Sequence, residues 1–311
     1  MRNTAGKDYD PPQKSFVGIF VGCNKGLDAV NAMRMGTGNS KFDKFAWKDA
    51  MAQHGEKGAL DRDVCNQATT PQFTLAGEDE ENEGVDYYDS SSASLHSMHL
   101  HCIEPMQSTV RALARVAYEL TYDKMGFVVT HAAMAKEDGS VLFPRGNKFK
   151  LGKENKGIAS SNCDQGQRGK CTNVTMYSLD TYVNKFVPEG VPINYLSVDA
   201  EGHDYDVLLG GTIGGTADIR TNNTALSRVH YLEFEYNWMG PWKNQSFQHA
   251  IEYLDAEFQF TCYWAGFNNT IWRITECWLD HYDIHFWSNV ACVNRNAEEV
   301  REVAENMERL F

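Results

Sequence analysis

The sequence alternates short apolar segments with longer segments of helical periodicity, and this alternation limits the fold more than any other feature. "SFVGIFVG" is β-branched and apolar, whereas "LDAVNAMRM" and "MQSTVRALARVAYEL" repeat apolar residues at helical spacing. Strands that alternate with helices pair into a mostly parallel sheet with helices on both faces. The last two strand-like segments, "FQFTCYWAG" and "IHFWSNVACVN", are not separated by a clear helix, which indicates an antiparallel terminal strand. We therefore predict an α/β fold.

The length and charge of the chain restrict its class. The 311 residues, of which 42% are hydrophobic, suffice for one α/β domain over residues 1–311, with a polar insertion at about 55–97 between the first helix and the second strand. The formal net charge of -13 would repel a nucleic-acid backbone, so no nucleic-acid partner is expected. No apolar run approaches the roughly 20 residues of a membrane helix, so no membrane span is expected.

Cysteines and glycosylation sequons indicate an oxidising compartment. The chain has eight cysteines, and Cys163 and Cys171 flank a polar, glycine-rich loop that a disulfide could close. Four N-x-S/T sequons lie at Asn173, Asn222, Asn244 and Asn268. We predict a disulfide-containing glycoprotein of the secretory lumen, or a secreted one, with its targeting segment removed. A cytoplasmic protein is the alternative, because sequons also arise by chance.

Two glycines and an asparagine follow the first strand in "VGCNKG". Gly22 and Gly26 permit positive φ angles and a close approach of a ligand to the backbone. The free N–H groups at the start of the next helix attract a carboxylate or a phosphate. A tight strand-to-helix turn without a ligand explains the same residues, so both interpretations stay open. The spacing differs from G-x-G-x-x-G, which makes a nicotinamide-dependent dehydrogenase a weaker interpretation.

An acidic residue, Glu104, ends the second strand in "CIEP". In nucleotide-binding βαβ units an acid at this position binds the ribose hydroxyls. A lone glutamate at a strand end is otherwise a solvated surface residue. A glycine turn after the first strand together with an acid after the second is the stronger indication, because the pair spans one nucleoside.

A group of acids follows the buried fourth strand in "NYLSVDAEGHDYDVLLGG". Because α/β folds bind ligands at the carboxyl ends of their strands, Asp199, Glu201 and His203 are candidate general bases. Alternatively, the second acid orients the histidine. The sequence permits a divalent metal ion but does not imply one, and Asp199 and Glu201 would be its ligands if one were bound. Asp204 and Asp206 are predicted to open the next helix, where the helix dipole favours acids.

The C-terminal third contributes a further acid and many aromatic residues. Glu235 ends the fifth strand and is a candidate contact for a bound substrate, or alternatively a surface or structural residue. Sugar rings stack on aromatic faces, although core packing accounts for most aromatic residues. The candidates for an aromatic acceptor wall are Tyr236, Trp238, Trp242, Tyr263, Trp264 and Trp272.

Several of these motifs occur in the order typical of one enzyme family. "GIFVGCNKG", "LHCIEP" and "INYLSVDAEGHDYDVLLGG" resemble the FkbM-type methyltransferases, and the resemblance extends over about residues 16–294. The most specific element is D-x-E-G-x-[DE]-x-x-V-L-x-G, which begins at Asp199 and ends at Gly210. The resemblance implies a Rossmann-like class I methyltransferase fold with a mostly parallel seven-stranded sheet. It also implies S-adenosylmethionine (SAM) as the cofactor.

The resemblance implies roles for individual residues. The glycine turn would line the methionine part of SAM, and Glu104 would hold the ribose hydroxyls. Ala132 and Ala133 would lie near the adenine, and Asp199 and Glu201 beside the transferable methyl group. The implied cofactor-binding set is Gly22, Cys23, Asn24, Gly26, Glu104, Pro105, Ala132 and Ala133.

These expectations combine into one predicted function and one alternative. The prediction is a SAM-dependent O-methyltransferase that acts on a hydroxyl of a carbohydrate or another polyhydroxylated small molecule. The catalytic candidates are Asp199, Glu201, His203 and Glu235. The chain departs from the family pattern at Phe20, where an acid is usual, and at Ser197, where a lysine is frequent. These departures favour the alternative, a non-catalytic lumenal binding protein with the same fold.

Overall fold

The computed structural model describes residues 16–54, 98–144, 163, 171–212, 224–265 and 271–301. The predicted insertion at 55–97 lies outside these ranges, as do the sequons at Asn222 and Asn268. The described strands are β1 (Phe16–Val21), β2 (Met98–Glu104), β3 (Phe127–His131), β4 (Ala133–Ala135), β5 (Gly139–Pro144), β6 (Cys171–Ser178), β7 (Ile193–Val198), β8 (Val229–Tyr236), β9 (Phe260–Ala265), β10 (Ile271–Arg273) and β11 (Ser288–Asn294). The described α-helices are α1 (Leu27–Thr37), α2 (Lys44–His54), α3 (Gln107–Glu119), α4 (Leu179–Phe186), α5 (Asp204–Leu209) and α6 (Phe247–Phe258).

The main sheet has the strand order β10-β9-β11-β8-β7-β1-β2-β3. Strands β3, β2, β1, β7 and β8 are parallel, which confirms the predicted α/β class with a mostly parallel sheet. The last strand, β11, is antiparallel as expected, and it lies between β8 and β9 rather than at an edge. The seven-stranded count differs from the structure, because the short strand β10 pairs with β9 and adds an eighth strand.

A second, three-stranded sheet has the order β4-β6-β5. Strand β6 starts at Cys171, which forms the predicted disulfide with Cys163. The sequence "TMYSLDTYVNKF" predicts a helix that enters at Ser178 or Asp180, and α4 begins at Leu179, directly after β6. Ser178 is its N-cap, and its hydroxyl oxygen accepts a hydrogen bond from the backbone N–H of Thr181 at 3.2 Å. The hydroxyl cap fixes the strand-to-helix boundary there.

The main sheet is covered on both faces, which explains why its central strands are apolar throughout. Val17, Ile19 and Val21 of β1 belong to one buried cluster, which α4, α5 and α6 complete on that face. Phe20 belongs to the opposite cluster, which is formed with α1, α2 and α3. A strand buried on both faces has no polar alternation, so "FVGIFV" appears as a continuous apolar run.

Disulfides join three cysteine pairs in the described part of the chain. The pairs are Cys23–Cys102, Cys163–Cys171 and Cys262–Cys292. Cys277 is exposed and lies outside these pairs. No helix among the described residues has both the length and the apolar character that a membrane span requires.

Candidate functional site

A cleft opens at the carboxyl ends of β1, β2 and β7, where the sequence predicts a ligand site. It contains about 710 Å³ of atom-free space, part of it open solvent. The predicted residues that line it are Gly22, Asn24, Glu104, Pro105, Ala132, Ala133, Asp199 and Glu201. The predicted residues that do not line it are Cys23, Gly26, His203 and Glu235. The fold therefore brings the glycine turn, the acid after β2 and the first acids after β7 around one space.

Gly22 allows the loop after β1 to touch the loop after β7. Its φ angle is +72°, and a Cβ atom at this position would lie 1.8 Å from the carbonyl oxygen of Asp199. The backbone N–H of Asp199 donates to the carbonyl of Val21 at 2.9 Å. The contact leaves no room for a side chain, and the positive φ angle also disfavours one. Gly22 thus brings the two loops together at the floor of the cleft.

Gly26 is outside the lining of the cleft and packs against the core. It also has a positive φ angle, +71°, and it is the N-cap of α1. A Cβ atom here would lie 2.9 Å from the Trp47 ring and 3.0 Å from a Leu113 methyl group. Because Gly26 has no side chain, α1, α2 and α3 can pack closely in the core. Gly26 therefore shapes the turn on its core side.

Asn24 lines the cleft and carries an unsatisfied acceptor. Its backbone has a φ angle of +51°, in the left-handed region that asparagine tolerates better than most residues. Its side-chain oxygen, Oδ1, is buried and has no hydrogen-bond partner among the described residues. A buried acceptor without a donor costs free energy. A ligand with an ammonium or amide group in the cleft would supply that donor.

Glu104 connects the loops that follow β1 and β2. Its side chain is buried, with Oε2 accepting the backbone N–H of Asn24 at 3.1 Å and Oε1 accepting that of Met106 at 2.9 Å. Glu104 therefore organises both loops, and it belongs to the lining of the cleft.

Cys23 cannot offer its sulfur to a ligand. Its side chain forms the disulfide with Cys102 of β2, and both residues belong to the buried cluster on the α1–α3 face. The backbone N–H groups of Gly22 and Cys23 both donate to the carbonyl of Ile103, at 3.0 and 3.1 Å. Cys23 therefore fixes the loop after β1 to β2 and does not line the cleft.

The acidic loop after β7 depends on two residues for its shape. Asp204 is fully buried, and its carboxylate accepts the backbone N–H groups of Ala200 and Gly202 at 3.2 and 3.1 Å. Burial raises the pKa of Asp204 well above its usual value, and the carboxylates of Glu235 and Asp199 add to the rise. Gly202, with φ +92°, packs where a Cβ atom would meet the backbone of Met239 at 2.6 Å. Asp204 also begins α5, as predicted.

His203 is turned towards α5 and away from the cleft. It is the N-cap residue of that helix, and its Nδ1 lies 3.6 Å from a carboxylate oxygen of Asp206. The histidine lowers the pKa of Asp206 more than any other neighbour does. Asp206 is thus an acid that accompanies the histidine. Nε2 of His203 is buried and has no hydrogen-bond partner among the described residues.

Glu235 lies at the carboxyl end of β8, beside the cleft. Because Phe234 pairs with Val198, the next residues, Glu235 and Asp199, follow neighbouring strands at the same sheet edge. Oε2 of Glu235 accepts the amide of Asn237 at 2.7 Å, and Oε1 accepts the indole N–H of Trp287. Burial raises the pKa of Glu235, while these two hydrogen bonds oppose the rise.

Phe20, one of the two departures from the family pattern, has a packing role. Its ring stacks on Tyr195 with centroids 5.1 Å apart, and Tyr195 stacks in turn on Tyr231 at 5.1 Å. Phe20 is 5% exposed and belongs to the α1–α3 core. Ser197, the other departure, pairs with Phe20 across β1 and β7.

The predicted aromatic wall separates into core and surface residues. Tyr236, Trp242 and Tyr263 are fully buried, and Trp264 packs against the same core. Trp238 and Trp272 are exposed, but Trp272 lies on β10, at the opposite edge of the sheet from β3. Trp287 has no signal in the sequence, because only the fold places this residue beside Glu235.

No cluster of three or more histidine, cysteine, aspartate or glutamate residues with the geometry of a metal site occurs in the described ranges. The cleft does fit the organic cofactor that the resemblance implies. Gly22, Asn24 and Glu104 all line it, Asn24 with an unsatisfied acceptor and Glu104 with a carboxylate. Ala132 and Ala133 give a small, apolar wall on the far side.

A known family accounts for this arrangement. The Methyltransferase FkbM domain family matches residues 81–262, more than half of the chain. The match contains Glu104, the acidic loop after β7 and Glu235; β1 and its glycine turn precede it, and the sheet places them between β2 and β7. No curated protein and no solved structure matches the chain. The chain therefore belongs to the FkbM methyltransferase domain family.

Proposed function

We propose that this protein is a SAM-dependent O-methyltransferase that acts on a hydroxyl of a carbohydrate or another polyhydroxylated small molecule. The observation that carries the proposal is the meeting of three motifs around one cleft. Gly22 comes from the turn after β1, Glu104 ends β2, and Asp199 follows β7. The methyltransferase family of the chain supports the same reaction class.

Different residues of the cleft would bind different parts of the cofactor. The Glu104 carboxylate would bind the ribose hydroxyls, and Ala132 and Ala133 would contact the adenine. Asn24 Oδ1 would accept a hydrogen bond from the α-ammonium group, which would satisfy its missing partner. When bound, SAM supplies a methyl group on a positively charged sulfur. The carboxylates of the cleft complement that positive charge.

Asp199 and Glu201 would act on the acceptor. A hydroxyl group must lose its proton when its oxygen takes up a methyl group, and a carboxylate in contact with that hydroxyl can accept the proton. Both residues line the cleft, whereas His203 faces Asp206. We therefore assign proton removal to the Asp199 and Glu201 pair. We assign His203 a structural role at the start of α5. Correct placement of the hydroxyl contributes the rest of the rate enhancement.

One observation favours a second function, a non-catalytic binding protein on the same fold. Phe20 replaces the acid that the family usually has in β1, and its ring is part of the core. A chain without this acid has one contact fewer to the charged end of SAM. SAM binding separates the two functions, because a protein that lost the chemistry together with the cofactor would bind none.

We also propose that the protein works in the secretory lumen or outside the cell, as a glycoprotein. Three disulfides support an oxidising compartment, because reducing compartments keep most cysteines as thiols. The sequon asparagines in the described ranges, Asn173 and Asn244, are both exposed and therefore accessible to glycosylation.

The decisive experiment measures SAM binding and methyl transfer separately. Calorimetry with SAM tests the cofactor site, and mass spectrometry after incubation with a panel of glycans and metabolites tests transfer. We expect Asp199→Asn and Glu201→Gln to keep SAM binding and to lose transfer. The same transfer rate in both variants as in the wild type would refute the assignment of these acids. A wild-type protein that binds no SAM would refute the proposed enzyme.

A further inference from the structure

A tryptophan on the surface beside the cleft is bound to a buried carboxylate. The Trp287 side chain is 66% exposed, yet its indole N–H donates to Oε1 of Glu235, which is 7% exposed. Asn237, which is fully buried, donates to the other oxygen of Glu235 at 2.7 Å. The indole plane is therefore fixed at one edge, while the rest of the ring is open to solvent.

The segment before Trp287 is tied down as well. The hydroxyl of Tyr236 donates to Oδ1 of Asp283 and accepts the backbone N–H of His285 at 3.1 Å. Nε2 of His285 lies 2.9 Å from the carbonyl oxygen of Trp242. These contacts hold the segment against the carboxyl end of β8. Trp287 is consequently presented by a rigid support and not by a free loop.

The segment that carries Trp287 exposes several large apolar side chains to solvent. Ile284, Phe286 and Trp287 are 53%, 66% and 66% exposed within four consecutive positions. Trp238, in the loop after β8, is 51% exposed. Single exposed apolar residues are ordinary, but a cluster of them beside a cleft indicates a ligand surface.

The surface lies on the side of the cleft that the cofactor residues leave open. The predicted cofactor contacts come from β1, β2 and the residues after β3, whereas Glu235 ends β8, next to the strand that Asp199 follows. The loop that carries Trp238 also touches Gly202 of the acidic loop through Met239. A molecule that rests on Trp287 therefore lies on the β8 side of the two acids.

Indole and carboxylate together select for a particular chemistry. The face of a sugar ring presents C–H groups that stack on an aromatic plane, and its edge presents hydroxyls that donate to a carboxylate. Each oxygen of Glu235 accepts one hydrogen bond and can accept a second, which a purely apolar ligand would not supply, and an acidic ligand would be repelled by the carboxylate. The pairing of an open ring face with a carboxylate at its edge fits a polyhydroxylated ring.

We propose that Trp287 and Glu235 form an acceptor subsite in which a sugar ring stacks on the indole and donates a hydroxyl to the carboxylate. The proposal rests on the proposed function. It adds which group of the acceptor contacts these two residues, a point that the proposed function does not specify. Trp287 is a specificity-determining residue in this proposal, and Asp199 and Glu201 keep their assigned role in proton removal.

The test uses saturation-transfer NMR of the full chain with methyl glycosides of glucose, galactose, mannose and xylose, in the presence of S-adenosylhomocysteine. Trp287→Ala removes the ring and the hydrogen bond, whereas Trp287→Phe keeps a ring and removes only the hydrogen bond. Trp272→Ala is the matched control, because Trp272 is 54% exposed but lies on β10. We expect at least one glycoside to receive saturation at its ring protons in the wild type. The affinity of the protein for that glycoside should fall roughly tenfold in Trp287→Ala and less in Trp287→Phe. It should not fall in Trp272→Ala.

The result is read together with SAM binding and melting temperature. Unchanged SAM affinity in Trp287→Ala, with weaker glycoside binding, supports the subsite. Equal glycoside binding in wild type and Trp287→Ala, or no glycoside binding to a protein that binds SAM, overturns it and leaves the methyltransferase proposal standing. Glycoside binding that depends on Trp287 in a protein without SAM binding supports the subsite and overturns the methyltransferase proposal. If Trp287→Ala does not fold, the Trp287→Phe variant carries the comparison.

Discussion

Cys23 and Cys102 form a disulfide that fastens the loop after β1 to strand β2, two residues before Glu104. The same loop donates a backbone N–H from Asn24 to the Glu104 carboxylate. The proposed ribose-binding acid and the proposed methionine-binding loop are therefore joined covalently as well as by hydrogen bonds. A cofactor site assembled before binding has less conformational entropy to lose when the ligand arrives.

Replacing both cysteines, Cys23→Ser with Cys102→Ser, should weaken SAM binding as well as stability. The two residues are 79 positions apart, and a crosslink over such a loop stabilises by about 4 kcal/mol in the chain-entropy description. The matched control is Cys262→Ser with Cys292→Ser, a disulfide in β9 and β11 away from the cleft. Calorimetry should show weaker SAM binding only in the first variant, although urea unfolding shows lower stability in both. Equal loss of SAM affinity in the two variants would argue against a local role.

Gly22→Ala should remove the cofactor site. The added methyl group would lie 1.8 Å from the Asp199 carbonyl, so the two loops must separate. We expect a loss of about 3 kcal/mol in unfolding free energy and no measurable SAM binding. Gly38→Ala is the control, because Gly38 also has a positive φ angle, +66°, but has no atom within 4 Å of the added group. It should cost about 1 kcal/mol from backbone strain alone and keep SAM binding.

Asn24→Gly should separate binding from stability. Glycine keeps the positive φ angle and removes the buried Oδ1 that has no partner among the described residues. Without ligand, the unfolding free energy should stay the same or rise, because an unsatisfied buried acceptor disappears. The affinity for SAM should fall roughly tenfold as the hydrogen bond to its ammonium group is lost. Unchanged affinity would show that Asn24 only shapes the turn.

Asp204→Asn should change how stability depends on pH. Burial raises the pKa of Asp204 in the folded protein above the 3.8 of the unfolded chain, so the folded state binds the proton more tightly. The folded state therefore loses stability relative to the unfolded state as pH rises from 3.8 through the folded pKa. Asparagine does not titrate, so the Asp204→Asn variant lacks this contribution to the pH dependence of stability. We expect the stability advantage of wild type over Asp204→Asn to shrink as pH increases, in urea unfolding between about pH 4 and pH 8. A constant difference would contradict a raised pKa.

The sequence alone was sufficient for features that depend on local pattern. The alternation of strands and helices predicted the parallel sheet, because a strand covered on both faces must be apolar along its whole length. The acids after β7 were correctly expected at a strand end, and Asp204 opens α5 as predicted. The disulfide between Cys163 and Cys171 was predictable because only a short loop separates the two residues.

Only the tertiary structure decided relationships between residues that are distant in the chain. Cys23 and Gly26 belong to the glycine turn, but packing against Cys102 and Trp47 turns them away from the cleft. The pairing of Trp287 with Glu235 spans 52 positions, and no periodicity encodes it. Sequence periodicity reports which face of an element is buried, whereas the neighbours across that face depend on strand order and loop geometry. The local sequence thus determined which acids lie at strand ends. The strand order of the sheet determined which of those acids line the same cleft.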